Sequence, residues 1–168
     1  FVFHEAYTRR GDRSYELRSR RWEGDIGGEL YKSTVGILGF GKLGQAVAER
    51  ARGFGMTIGA LSGHPENIDT ERFGVSFTAS LENVDEFLSR CDYVVLTLPN
   101  TDETQDLMNA DRFAAMKDGS YLINVARGVL VVEEAMRDAL ESGKLAGAGL
   151  DVTRCEKDPE STGGYPFP

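Results

Sequence analysis

Between residues 34 and 50 the chain reads Thr-Val-Gly-Ile-Leu-Gly-Phe-Gly-Lys-Leu-Gly-Gln-Ala-Val-Ala-Glu-Arg. An apolar, β-branched run of strand length passes through Gly39, Gly41 and Gly44 into a segment with helical character. Few folds accommodate a buried strand that turns into a helix within so short a span. The turn needs Gly39 for its sharp reversal, Gly41 to leave the backbone bare, and Gly44 so that the helix can lie close to the strand. The first amides of such a helix have no carbonyl partners and face out of the turn, which suits a pyrophosphate. The glycine spacing is weak alone and gains its meaning from the strand before it and the helix after it.

Beyond this turn, strand-like and helix-like segments alternate, the pattern of an α/β doubly wound parallel sheet of the Rossmann type. Helices are expected at residues 45–53, 80–90, 110–116 and 132–142, with Ser80 capping the second and Gly143 ending the last. Strands are expected at 35–38, 56–61, 75–77 (an edge strand), 93–98, 121–124 and 146–150. Right-handed crossovers order them 3-2-1-4-5-6 and open a crevice at the carboxyl ends of strands 1 and 4.

The formal net charge is −8. Residues 1–21 hold six arginines against Glu5, Asp12 and Glu16, so the acidic excess belongs to the rest of the chain. An acidic globule is a poor partner for nucleic acid or an anionic membrane. The arginine-rich start, with interleaved acids and aromatics, reads as a helix with one solvated face rather than a nucleic-acid arm. Cys91 and Cys155 are too few for a disulfide framework or a metal site, which fits a reducing cytoplasm. No apolar run reaches membrane-spanning length and no signal segment is evident. The opening at Phe1 and the closing Gly-Gly-Tyr-Pro-Phe-Pro at residues 163–168 read as cuts in a longer chain.

Three loops follow strands 4, 5 and 6: Pro99-Asn100-Thr101, Asn124-Val125-Ala126-Arg127-Gly128 and Asp151. They are expected to surround one half of a bound dinucleotide. Arg127 is the informative member, because a planar guanidinium at the mouth of an apolar sheet can grip a carboxylate through two parallel hydrogen bonds. The bland alternative pairs it with Glu133 or Glu134.

With these residues in place the chain resembles the NAD-dependent D-isomer-specific 2-hydroxyacid dehydrogenases. The likeness rests on residues 39–44, on Leu98-Pro99-Asn100-Thr101 with Thr104, on 123–128, and on Gly147-Ala148-Gly149-Leu150-Asp151-Val152. It runs from about Trp22 to Glu156. The resemblance implies one domain of a larger two-domain oxidoreductase that moves a hydride between NAD(P)H and a small 2-oxo or 2-hydroxy acid. Residues 1–30 would be an interdomain helix and arm, 31–152 the dinucleotide-binding domain, and 153–168 a shortened link toward a substrate-binding domain. It implies Arg127 on the substrate's carboxylate and carbonyl, Glu156 as partner of the general-acid histidine, and Asp151 on the nicotinamide carboxamide. The coenzyme-contacting set becomes Gly39, Phe40, Gly41, Lys42, Leu43, Gly44, Ser62, Gly63, His64, Leu98, Pro99, Thr104, Val125, Ala126, Arg127 and Asp151, with no metal. Family members generally pair through this domain, so a homodimer is expected.

Three departures stand out. Thr153 and Lys157 replace the family's aromatic after Asp-Val and proline after the catalytic Glu. Ser62, followed by Gly63 and His64, stands where an acid would hold the adenosine ribose; losing that carboxylate removes repulsion toward a 2′-phosphate and tilts the coenzyme from NAD toward NADP. The family's general-acid histidine has no counterpart, since only His4 and His64 exist. The 168 residues alone are therefore expected to bind coenzyme with negligible turnover. Two other readings remain open: a corepressor-like module that senses dinucleotide without turnover, and a methyltransferase using the same sheet for adenosylmethionine, which the glycine pattern disfavours.

Overall fold

The computed structural model describes residues 29–154. The arginine-rich start, His4, Cys155, Glu156 and Lys157 lie outside the described residues. Six strands form one parallel sheet: β1 (Thr34–Leu38), β2 (Thr57–Leu61), β3 (Val75–Ala79), β4 (Tyr93–Leu96), β5 (Ser120–Asn124) and β6 (Leu145–Leu150). Their order is β3-β2-β1-β4-β5-β6, as the sequence predicts. Five helices connect them: α1 (Lys42–Gly53), α2 (Thr70–Phe73), α3 (Val84–Ser89), α4 (Ala110–Ala115) and α5 (Glu133–Glu141).

The strands read as near-continuous apolar runs because both faces of the sheet are covered. Val35 and Ile37 of β1 join Ala48, Ala51, Ile58, Phe73 and Val95 in a core on one face. Leu38 joins Phe87, Leu88, Val94, Leu96, Leu122 and Met136 on the other. Gly36 is the thin point of that second face: a Cβ there would lie 2.4 Å from the Cys91 sulfur and 2.8 Å from the Phe87 ring. Tyr93 and Tyr121 stack across β4 and β5, their rings 5.2 Å apart.

Several boundaries shift from the sequence expectation. The edge strand β3 runs two residues further, to Ala79, while β4 stops at Leu96. Ser80 does not cap a helix with its hydroxyl; its extended backbone opens a short 3-10 turn (Leu81–Asn83), and α3 begins only at Val84. The reason is local: the Ser80 carbonyl accepts from the Asn83 amide at 3.2 Å, so a tight backbone turn takes the place of a side-chain cap. Gly143 does stand in the left-handed region after α5, at φ +77°.

Candidate functional site

All six strands point the same way, so their carboxyl ends lie along one edge. The hydrogen-bond ladder continues one residue past that edge. Ser62 N–H donates to Ala79 O at 3.0 Å, Gly39 to Leu61 at 2.8 Å, Thr97 to Leu38 at 2.8 Å, Val125 to Leu96 at 3.4 Å, and Asp151 to Asn124 at 3.0 Å. The first residue after each of five strands is thereby set in a single row. Four of the five, Ser62, Gly39, Val125 and Asp151, belong to the set expected from the sequence.

The glycine turn has the geometry its spacing demands. Gly39 sits at φ +96°, and a Cβ there would meet the Thr97–Leu98 peptide at 2.8–2.9 Å. A Cβ on Gly44 would lie 2.2 Å from the Gly39 carbonyl oxygen, so the start of α1 rests directly on the turn. Gly41 is different, since nothing stands within 4 Å of a Cβ there: the space beside it is open.

Electrostatics separate α1 from its neighbours. α2, α3, α4 and α5 each carry acids in the first turn, and Asp69 and Asn109 cap α2 and α4 with their side chains. The first turn of α1 has no acid, and Gly41 offers no side chain as a cap. Gln45 N–H is the first amide to close the helix, onto Gly41 O at 2.9 Å. The amides of Lys42, Leu43 and Gly44 have no acceptor among the described residues. An uncompensated helix dipole, three free N–H groups and a bare glycine fit the diphosphate of a dinucleotide.

At the β2 end, the Ser62 hydroxyl accepts from the His64 amide at 3.2 Å, and His64 Nδ1 lies 3.3 Å from a Glu66 carboxylate oxygen. Gly63 and His64 are exposed. Phe40 turns its ring edge-on to Phe73, centroids 5.5 Å apart. Arg72 lies over the Phe73 ring. Lys42 and Leu43 are exposed on the first turn of α1.

On the other flank, Leu98 is buried beneath the loop after β4 and Pro99 is exposed. Thr104 is 4% exposed, and its hydroxyl donates to Pro99 O at 2.7 Å while accepting from Thr101 N–H at 2.8 Å. That hydroxyl shapes the loop. Asn124, 1% exposed, accepts from Ala126 N–H at 3.0 Å and donates to Arg127 O at 2.9 Å, folding the Val125–Ala126 peptides into a fixed bend.

Arg127 is exposed, and its guanidinium donates to the neighbouring Ala126 carbonyl at 2.7 Å. Among the described residues it forms no ion pair. Glu133 instead accepts from the Arg154 amide at 2.6 Å, which sets aside the Arg127–Glu133 alternative. Away from this edge, burial pushes the Cys91 thiol up to about 12.

Sequence reasoning missed Thr97, Asp106 and Arg154, and named Asn124 at the head of the loop after β5 without the bonds it makes there. Thr97 Oγ1 reaches both the Leu38 carbonyl, at 3.1 Å, and the Gly39 carbonyl, at 2.6 Å, tying the end of β4 to the glycine turn. A signal for Thr97 and Asn124 existed: a polar residue at the end of an apolar strand must find a hydrogen-bond partner if buried.

A family model described as D-isomer specific 2-hydroxyacid dehydrogenase, NAD binding domain, matches residues 3–165. The glyoxylate reductase of Thermococcus kodakarensis is 40% identical over 150 residues, covering 88% of this chain and 43% of its own length. The D-lactate dehydrogenase of Lactiplantibacillus plantarum is 37% identical over 136 residues, covering 81% of this chain and 40% of its own. Among solved structures, a D-isomer specific 2-hydroxyacid dehydrogenase from Xanthobacter autotrophicus Py2, in complex with NADPH and MES, superposes with a TM-score of 0.82 at 35% identity. That match covers 97% of this chain and 50% of the other. The chain thus spans less than half the length of either curated relative.

Proposed function

The chain belongs to the D-isomer specific 2-hydroxyacid dehydrogenase family, in its NAD-binding domain, and from that premise we propose that it is the coenzyme-binding half of a reductase of small 2-oxo acids. The observation that carries this reading is the row at the carboxyl edge, where the glycine turn and the loops after β2, β5 and β6 are held in line by one continued ladder. When bound, reduced nicotinamide dinucleotide supplies the hydride. The chain's own residues bind and orient. The amides of Lys42 to Gly44 hold the diphosphate, with Gly39 and Gly41 giving access and Phe40 closing the side of the turn. Ser62, Gly63 and His64 receive the adenosine ribose. Leu98, Pro99, Val125 and Ala126 line the nicotinamide half, Thr104 holds the loop that bears Pro99, and Asp151 accepts the carboxamide.

Arg127 takes the substrate. Its charge is unpaired among the described residues, and two parallel N–H groups match a carboxylate and its adjacent carbonyl oxygen. Polarising that carbonyl lowers the barrier to attack at its carbon. Glu156 raises the pKa of the general-acid histidine and fixes its tautomer. His64 is not that acid: it follows β2, three strands from the loop after β5, or about 14 Å at the usual strand spacing. The substrate class follows the relatives, named for glyoxylate and D-lactate.

The coenzyme tilts toward NADP, because Ser62 and the glycine amide beside it present donors and no carboxylate to the ribose. One relative in the fold comparison is seen with NADPH. The protein acts in the cytoplasm as a homodimer, and among the described residues no helix is long and apolar enough to cross a membrane. The test is a fluorescence titration of the chain with NADH and NADPH, followed by oxalate as a planar carboxylate probe. Micromolar dinucleotide binding, with oxalate binding lost in Arg127→Ala, supports the proposal; no dinucleotide binding refutes it.

A further inference from the structure

Among the described residues, Arg127 has no side-chain partner to aim it. Its direction depends on its backbone, set by Asn124 on one side and by the 3-10 turn Gly128–Leu130 on the other. That turn is held from outside. The Arg154 guanidinium pairs with the Asp106 carboxylate and donates to the Val129 carbonyl at 3.1 Å and the Val131 carbonyl at 3.3 Å. The Arg154 amide donates to Glu133 at 2.6 Å. Asp106 stands in the left-handed region at φ +54°, and its amide donates to Val129 O at 2.9 Å. Met108 N–H donates to Leu130 O at 2.9 Å, and Val132 N–H returns to Met108 O at 3.0 Å. Gly128 is pressed against the departing chain, since a Cβ there would lie 2.1 Å from the Thr153 carbonyl carbon.

Three segments, at residues 104–108, 128–132 and 153–154, therefore form one block. Arg154 belongs to one and bonds to the other two. We propose that Arg154, with Asp106, is a positioning pair for Arg127: it clamps the 128–131 turn to the chain leaving β6 and so fixes where the Arg127 guanidinium stands. This rests on the reading of Arg127 as the carboxylate ligand. The clamp is ionic at its centre, and without the guanidinium Asp106 is left as an uncompensated acid beside a turn whose Val129 and Val131 carbonyls lose that donor. A displacement of the loop on the ångström scale is enough to weaken bidentate recognition.

The test uses the whole chain and the variants Arg154→Gln, Asp106→Asn, their double variant and Arg127→Ala. Hydrogen exchange is read at the amides of Asp106, Met108, Leu130 and Val131, with Gly39 and Thr97 as references, together with affinities for NADPH and for oxalate on the dinucleotide-loaded chain. Asparagine tolerates a positive φ, so Asp106→Asn removes the charge without new backbone strain. The expected result is exchange about tenfold faster at the clamp amides in either single variant, the references and NADPH affinity unchanged, and oxalate about tenfold weaker, the scale of one coupling between contacting residues. The double variant should be no worse than the singles. Unchanged exchange in Arg154→Gln overturns the clamp. Faster exchange with undiminished oxalate affinity overturns its positioning role, whereas oxalate binding indifferent to Arg127→Ala overturns the reading of Arg127 and leaves the exchange result to judge the clamp.

Discussion

A methyl group at position 44 would stand 2.2 Å from the carbonyl oxygen of Gly39, so Gly44→Ala must push α1 off the turn. Overpacking of this kind costs about 1–3 kcal/mol, and here the displaced atoms are the free amides themselves. Titration with NADPH should show affinity reduced about tenfold or more in Gly44→Ala; equal affinity would mean the diphosphate lies elsewhere. Gly41→Ala is the informative companion, because nothing in the protein opposes its Cβ within 4 Å. It should leave the melting temperature unchanged and weaken only the dinucleotide. Thr97→Val removes the hydroxyl bonds to Leu38 O and Gly39 O, and a loss of about 1 kcal/mol is expected in denaturant unfolding.

In the proposed reading, the loop after β2 sets the coenzyme by what it lacks. Ser62→Asp places a carboxylate where a 2′-phosphate would sit and should shift preference toward NADH by about tenfold or more, read as the ratio of the two affinities. If the ratio stays put, the ribose is not held at Ser62. The strands were legible because each is an apolar run bounded by glycine or polar residues, and parallel strands buried on both faces leave that signature. The glycine turn was legible because the backbone conformation there admits almost nothing else. Helix starts were less so: Ser80 looks like a cap, but the chain leaving the edge strand closes a tight backbone turn first. The supports of Arg127 were illegible for a different reason. Arg154 reaches Asp106 across 48 residues of sequence, and no local pattern encodes a partner that only the assembled sheet brings near. Asn124 lay between the two cases, visible as a polar end to an apolar strand but silent about which amide it holds.

At the scale of the molecule, the two edges of the sheet are chemically distinct. The amino edge is tied by Asp92, whose carboxylate accepts from Thr34 N–H at 2.7 Å and from Lys117 Nζ at 2.8 Å. Neighbouring Cys91 is fully buried and donates to Phe87 O. Burial raises its folded pKa from 9.0 to about 12. The folded state then retains a proton that the unfolded chain releases, so stability is unaffected below about pH 9 and falls as pH rises from there toward 12. The slope due to this thiol is about 1.4 kcal/mol per pH unit, and the difference in unfolding free energy between the chain and Cys91→Ala across that window should reveal it. The carboxyl edge, by contrast, carries the bare glycine and, among the described residues, free amides and an unpaired Arg127. Since the proton donor of the proposed reaction is not among residues 29–154, oxo-acid reduction by these residues alone should be negligible. Amide chemical-shift mapping on addition of NADPH tests the assignment of the two edges most directly. The expected result is shifts concentrated at Gly39 to Gly44, Ser62, Val125 and Asp151, with Asp92, Lys117 and Gly119 still; shifts confined to the amino edge, or none at saturating dinucleotide, would contradict it.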